Sequence, residues 1–355
     1  MNSIKSTGYS VHFGDIGYQN LNDYLNQEFC SKIFVLADNN TREHCLPVLM
    51  EKIESKHAME VLQIQAGEKF KNLETCALLW EQLSALGADR KSLIINLGGG
   101  VITDMGGFVA SCFKRGIRFV NIPTTLLSMV DASVGAKTGI DLGVLKNQIG
   151  LFSNPEMVLI DPYYLNTVSE REMRSGLAEI IKYGFTFDQS LWEEIRTFER
   201  IDLSRIVPLV HKSVEIKNRV VLHDLHESGL RKTLNFGHTA GHAIESYFLD
   251  MDFKSDLTHG EAIAAGMVIE LYYSSKICGL PIERAEELKA FVKKFYGQID
   301  INPEDCDPIM ELMLFDKKNV SGIIKFVLLE SIEKCQIDKE IPSQLIRDGL
   351  LYFAE

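Results

Sequence analysis

Over residues 1–165, short β-branched apolar runs alternate with stretches of helical periodicity, a pattern that predicts βαβ units around a parallel sheet. Strands are expected at Lys32–Ala37, Met59–Ile64, Ser92–Leu97, Phe119–Ile122 and Met157–Ile160. From Leu165 the pattern turns helical, and no further clear strand is expected before Ile323–Leu329. Ser169 and Glu172 have the spacing of a capping box, and Gly184 offers a stop for the helix they open. Further helices are expected over Leu191–Phe198 and Ile206–Val221. The fold class expected is α/β plus all-α, with an N-terminal parallel-sheet domain over residues 1–165 and a mainly helical domain over 166–355.

Polar groups interrupt this pattern at informative places. In open parallel sheets ligands bind beyond the carboxyl ends of the strands, which makes the loops there candidate sites. Gly98, Gly99 and Gly100 follow the strand SLIINL and precede an apolar helical segment, Met105–Phe113, so backbone N–H groups at the helix start can meet a pyrophosphate. A tight turn explains a triple glycine equally well. Asp38, at the end of KIFVLA, has the placement of a ribose ligand, and Gly67–Lys71 adds polar groups after another strand. Together these favour a dinucleotide. After Pro123, Thr124 and Thr125 comes a glycine-punctuated stretch expected as a polar loop, with Asp131, Ser133, Lys137, Lys146 and Asn147; its lysines suit a phosphate or carboxylate.

In the helical half, Glu179 and Lys182 stand one turn apart among Leu177, Ala178, Ile180 and Ile181, so the carboxylate is expected to be buried and to need a partner. Arg231, Asn235, His238 and His242, at i, i+4, i+7 and i+11, are expected on one face of one helix. His259 follows in a Thr-His-Gly-Glu turn. An isolated HxxxH is as often a pair of solvated or core histidines as a metal site, but a divalent cation shared with Glu179 and His259 would satisfy all three groups.

Composition narrows the partners. The 355 residues suffice for two domains, and a net charge of −12 disfavours nucleic acid or an anionic membrane as partner. The seven cysteines are scattered without CxxC pairing and are expected as reduced, buried thiols. The N-terminus lacks an apolar signal core and no apolar run approaches a membrane span, so a soluble, unprocessed, cytoplasmic protein is expected.

The segments GEKFK, GGGVITD, FKRGI, IPTTLL, DASVGAKTGID, LKNQIG, SGLAEIIKYG, RKTLNFGHTAGHAIE and THGEA, in this order, resemble those of the 3-dehydroquinate synthases, members of the sugar-phosphate cyclases. The resemblance implies a Rossmann-like NAD domain followed by a helical metal-binding domain. It implies NAD contacts at Asp38, Glu68, Lys71, Gly99, Gly100, Val101, Asp104, Thr124, Thr125, Asp131, Lys137, Lys146 and the turn Tyr164, Leu165, Asn166, Thr167. Glu179, His238 and His259 would hold a divalent metal, zinc or cobalt. Lys137, Lys182, Lys217, Arg231, Asn235 and His242 would act in catalysis, with Asp131, Asn147 and one of Lys317 and Lys318 on the substrate. Arg115 matches an arginine that the family reaches across a dimer interface, so a homodimer is expected. The implied reaction turns a seven-carbon keto-acid sugar phosphate into a carbocycle and phosphate, with NAD regenerated in each turnover. Lys217, Arg231 and Asn235 favour that substrate over the carboxylate-free substrates of valiolone- and inosose-forming relatives; polyol dehydrogenases share the two-domain plan more distantly. Thr103, Ala132, Ala136 and Asp141 depart from the family's commonest residues without removing an implied ligand.

Overall fold

The computed structural model describes residues 1–28, 30–143, 145–251, 253–314 and 323–355. The expected substrate lysines Lys317 and Lys318 lie outside the described residues. The chain forms two compact units: residues 1–169 with 203–222, and residues 170–202 with 223–355.

In the first unit the strands are β1 (Ile4–Lys5), β2 (Ser10–Phe13), β3 (Ile33–Asp38), β4 (Met59–Ile64), β5 (Leu93–Gly98), β6 (Arg118–Pro123), β7 (Lys137–Leu142), β8 (Leu145–Phe152) and β9 (Met157–Ile160). Its helices are α1 (Gly14–Gln27), α2 (Asn39–His44), α3 (Leu46–Lys52), α4 (Leu73–Ala85) and α5 (Gly100–Cys112). One sheet runs β1-β2-β9-β6-β5-β3-β4, parallel except for the β1–β2 pair. The five expected strands correspond to β3, β4, β5, β6 and β9; β1 and β2 are too short and polar to stand out. Every residue of β5 is buried, because helices cover both faces of a parallel sheet; such a strand reads as one continuous apolar run. Phe34, Leu36, Ile94, Met105, Val109 and Phe119 form part of the core cluster, and each fully buried side chain of this size stabilises the fold by about 1.5–3 kcal/mol.

The stretch expected as a polar loop after Thr125 is largely ordered structure instead: a helical turn over Ser128–Ala132 and an antiparallel β7–β8 hairpin. Its alternation was hidden by Gly139 and Gly150, whose backbones pass so closely that a Cβ on Gly139 would lie 2.7 Å from the Ile149 carbonyl.

Four further helices carry the chain through the middle of the sequence and set both units. They are α6 (Glu170–Thr186), α7 (Gln189–Ile195), α8 (Leu203–His223) and α9 (His238–Asp250). Helix α8, expected in the second domain, groups with the first unit: Asn218 donates to the Lys5 carbonyl at 2.9 Å and His211 packs on Phe13. Helix α6 passes through the expected stop at Gly184, where a Cβ would meet the Trp192 backbone nitrogen at 2.7 Å; that glycine admits α7 rather than ending α6.

The second unit is completed by α10 (His259–Ile277), α11 (Glu283–Tyr296), α12 (Cys306–Leu314), the hairpin of β10 (Lys325–Ser331) and β11 (Lys334–Glu340), and α13 (Ser343–Ala354). The expected strand at Ile323–Leu329 is β10, displaced by two residues at each end, and its partner β11 was not expected. Helix α10 is buried almost all round from Gly260 to Leu271, the mark of a central helix. All cysteines are free, as expected, but only Cys30, Cys45, Cys76 and Cys306 are buried and Cys112 is exposed. No helix of the described residues is long and apolar enough to cross a membrane.

Candidate functional sites

In the first unit, the carboxyl ends of successive parallel strands deliver most of the expected nucleotide contacts to one edge of the sheet. Asp38 ends β3, the Gly67–Lys71 turn follows β4, Gly99 and Gly100 follow β5, Thr124 and Thr125 follow β6, and the Tyr164–Thr167 turn follows β9. The strand order reverses between β3 and β5, the position at which parallel sheets open a ligand crevice. Helix α5 starts at Gly100, five residues earlier than expected, and its leading N–H groups, those of Gly100 and Val101 among them, have no intrahelical acceptor. One oxygen of Asp38 is already engaged, capping α2 through the Thr41 N–H at 2.8 Å. Tyr164 is buried and its hydroxyl pairs with that of Tyr18 at 2.9 Å, so its side chain is already engaged within the fold.

A buried charge network adjoins this edge. Lys71 Nζ donates to Asp104 Oδ2 and to Asn147 Oδ1, both at 2.7 Å, and lies 3.9 Å from Glu68. Lys146 pairs with Glu68 at 2.9 Å, and Lys217 with Asp131 at 2.9 Å. Burial alone would lower the Lys71 pKa, but Asp104, Glu68 and Asp141 together raise it. The Asp141 carboxyl is pushed up to about 6, chiefly by burial, against the pull of Lys71 and Lys146. Asp141 also accepts the Asn147 N–H at 2.6 Å, a contact the sequence did not announce. Ala136, one of the departures expected from the sequence, takes φ 59°, a left-handed conformation that an alanine adopts at a cost of about 1–2 kcal/mol. Arg115 is exposed in the turn before β6, at the amino end of that strand, and so is not brought together with the other expected residues of its unit.

In the second unit, Arg231, Asn235, His238 and His242 do not share one helix. Leu230–Asn235 forms a short 3₁₀ turn, and Gly237 takes φ 79°, which breaks the path before α9 starts at His238. A side chain is excluded at Gly237, where a Cβ would lie 2.4 Å from Met267. Its N–H is held by Glu270 at 2.8 Å. Arg231 and Asn235 are buried and locally tied: Arg231 donates to the Leu225 carbonyl at 2.7 Å, and Asn235 to Glu227 at 2.6 Å.

His238 and His242 do share a face of α9, and His259, the first residue of α10, joins them: the three ring centroids lie 5.2–5.7 Å apart. Glu179, fully buried on α6, places Oε1 3.4 Å from Nε2 of His238 and 3.4 Å from Nε2 of His259. The other nitrogen of each ring faces an acceptor. His238 Nδ1 donates to the Phe236 carbonyl at 3.1 Å and His259 Nδ1 to Glu245 at 3.2 Å. With those protons placed, the Nε2 lone pairs converge on a carboxylate oxygen, an arrangement that repels itself unless a positive charge sits among the three atoms. Lys182 Nζ is in contact with Oε2, yet neither Glu179 oxygen has a hydrogen-bond partner of good geometry among the described residues.

The residues fit a metal on geometry as well. Two ligands at about 2.0–2.1 Å from a tetrahedral zinc are separated by about 3.3–3.4 Å, the spacing of Glu179 Oε1 from each of the two Nε2 atoms. Metal-bound imidazoles commonly donate their second N–H to a carboxylate or a backbone carbonyl, and one of each occurs here. Metal-free, the centre shows the charge it wants. Burial would raise the Glu179 pKa, but Lys182 and the imidazoles hold the carboxyl well below its usual range. Burial would lower that of His259, but Glu245 and Glu179 push it up to about 10. The His238, His242 and His259 nitrogens lie within 4.8 Å of one another, so His242 also belongs to the cluster. Glu245 was missed from the sequence, although its i+7 spacing from His238 puts it on the histidine face of α9.

Two family models match consecutive parts of the chain: 3-dehydroquinate synthase N-terminal over residues 61–175 and 3-dehydroquinate synthase C-terminal over 176–319. The 3-dehydroquinate synthase of Parabacteroides distasonis is 43% identical over 338 residues, covering 94% of this chain and 95% of its own length. The chain belongs to the 3-dehydroquinate synthase family. The Clostridium beijerinckii 3-dehydroquinate synthase is 39% identical over 87% of this chain and 88% of its own length. Among solved structures, a 2-deoxy-scyllo-inosose synthase in complex with carbaglucose-6-phosphate, NAD+ and Co2+ superposes with a TM-score of 0.84 at 22% identity. It covers 98% of this chain and 99% of its own length, a likeness of fold. The dehydroquinate synthase-like architecture expected from the sequence is therefore the observed one, with a parallel sheet in one unit and a mainly helical second unit.

Proposed function

We propose that the protein is a 3-dehydroquinate synthase, a lyase that converts 3-deoxy-D-arabino-heptulosonate 7-phosphate to 3-dehydroquinate and phosphate in aromatic amino acid biosynthesis. Family membership over nearly the whole chain supports the reaction. The observation that carries the chemistry is the convergence of Glu179 Oε1 with the Nε2 atoms of His238 and His259. The first unit would be the NAD-binding domain and the second the metal- and substrate-binding domain. A homodimer, with Arg115 serving the partner subunit, and a cytoplasmic location complete the reading.

NAD would supply a transient hydride acceptor, held by Asp38, Glu68, Lys71, Asp104, Lys146, the Gly99–Val101 helix start, Thr124, Thr125 and the Tyr164–Thr167 turn. A divalent metal, zinc or cobalt, held by Glu179, His238 and His259, would supply Lewis acidity toward a substrate hydroxyl. Lys182 contacts Glu179 and so meets a substrate from a position beside that centre. Arg231, fixed by the Leu225 carbonyl and by the Asp224 carboxylate on its own N–H, offers a planar fork suited to a carboxylate. Asn235 is oriented by Glu227, and His242, whose ring lies 5.2 Å from that of His238, would move a proton. Asp131, Lys137, Asn147 and Lys217 are the first unit's candidates for substrate hydroxyls and phosphate.

Phosphate release from 3-deoxy-D-arabino-heptulosonate 7-phosphate by the purified protein with NAD and zinc, without net NADH, is the expected result. Steady NADH accumulation without phosphate would instead establish a dehydrogenase.

A further inference from the structure

The sequence pointed to the metal ligands but not to what aims them. His259 is the first residue of α10, and the chain on both sides of it is tied to α6, the helix that carries Glu179. Two residues after His259, Glu261 meets Arg171 through a two-pronged pair: Nε to Oε1 at 2.8 Å and a terminal guanidinium nitrogen to Oε2 at 2.7 Å. That same nitrogen donates to the Asp256 carbonyl at 2.6 Å, three residues before His259. Glu261 in turn accepts the Thr258 N–H at 2.7 Å, and the Thr258 hydroxyl accepts the Glu261 N–H, a reciprocal cap around His259. Gly260 donates to Ser175 Oγ at 2.9 Å, and a Cβ there would lie 2.1 Å from the Ser175 carbonyl. Arg171, Ser175 and Glu179 follow at i, i+4 and i+8, one face of one helix.

The geometry points to Arg171 as a positioning residue for the metal centre: its bidentate clamp on Glu261 sets the direction in which His259 leaves the start of α10, so that one helix supplies a ligand and aims another. This rests on the metal site proposed above. The clamp acts on backbone already ordered without a cation, so its contribution appears as affinity and ligand geometry rather than as a contact to metal. The pairing is specific to a guanidinium, since an ammonium cannot form two parallel bonds to a carboxylate and also reach the Asp256 carbonyl.

Titration of the metal-free protein with cobalt(II), followed by visible absorption, reads affinity and coordination geometry independently of turnover. Arg171→Met should weaken cobalt binding by up to about 10-fold and alter the spectrum, the low end of the scale for groups that orient ligands, because the half-exposed Arg171 acts on His259 only through Glu261. Arg171→Lys should fail to restore it, Glu261→Gln should lose a similar amount while keeping the side-chain shape, and the double variant should lose little more than either single one. Folded Arg171→Met or Glu261→Gln protein with unchanged cobalt affinity and spectrum, and only a lower Tm, overturns the positioning role and leaves the metal site standing. Wild-type protein that takes up no cobalt overturns the metal site and the clamp's role together.

Discussion

The two clusters of charge differ in how complete they are without a ligand. At the sheet edge of the first unit, Lys71, Lys146 and Lys217 each have a carboxylate within 2.9 Å, so each is ion-paired before any anion arrives. In the second unit, Glu179, a buried carboxylate in contact with Lys182, holds one oxygen 3.4 Å from the Nε2 atom of each of two imidazoles, and neither of its oxygens has a hydrogen-bond partner of good geometry among the described residues. The proposed reading of each cluster draws on that difference. On the proposed reading, ion pairs complete in themselves can be exchanged for contacts to a nucleotide, whereas a buried carboxylate left without hydrogen bonds beside two imidazoles suits a retained cation.

The largest effect should come from the incomplete cluster. His238→Ala is expected to abolish stoichiometric metal and to lower kcat by about 10³-fold, the several kcal/mol that a Lewis acid supplies. NAD affinity, measured by fluorescence titration, should stay unchanged in that variant. Full activity with metal retained would remove His238 from the centre, and a parallel loss of NAD binding would show that the clusters are not independent.

The ion-paired cluster should fail differently. Lys71→Met leaves Asp104, Glu68 and Asp141 without their shared cation, and breaking a buried pair on one side costs about 3–5 kcal/mol of stability. Adding Asp104→Asn should recover part of that loss in denaturant unfolding, because the uncompensated charge goes as well. A double variant less stable than Lys71→Met would mean the pair is not a unit.

The smallest effect is a pH dependence confined to the first unit. Folding raises the Asp141 carboxyl to about 6 from its ordinary 3.8, so the protonated form is favoured in the folded state. Its stabilising contribution is therefore present below about pH 4 and is lost as pH rises through about 6. Asp141→Asn should gain in Tm relative to wild type across that window. Parallel curves would show that Lys71 and Lys146 already offset the burial.

How far these features were legible in the sequence depended on the range of the interaction. The buried strands β3, β5 and β9 read directly, since a strand covered on both faces needs apolar residues at every position. The helix cap at Thr258 and Glu261 is equally local and stands in the letters THGE. The β7–β8 hairpin was missed because its glycines answer to a neighbouring strand rather than to their own. The single helical face from Arg231 to His242 failed for the same reason: Gly237 is dictated by Met267, a residue distant in sequence. Glu245 had a readable spacing, but its bond to His259 joins two helices and exists only once they pack.

By itself, the sequence determined which groups can bear charge or offer ligand atoms, and the buried strands and longer helices that carry most of them, because periodicity and residue chemistry are local properties. The tertiary structure alone decided that one oxygen of Glu179 stands equally far from two imidazoles, that α8 joins the first unit, and that Arg171 reaches Glu261. Those outcomes depend on distances between elements far apart in the chain, and such distances exist only once the cores of the units have packed.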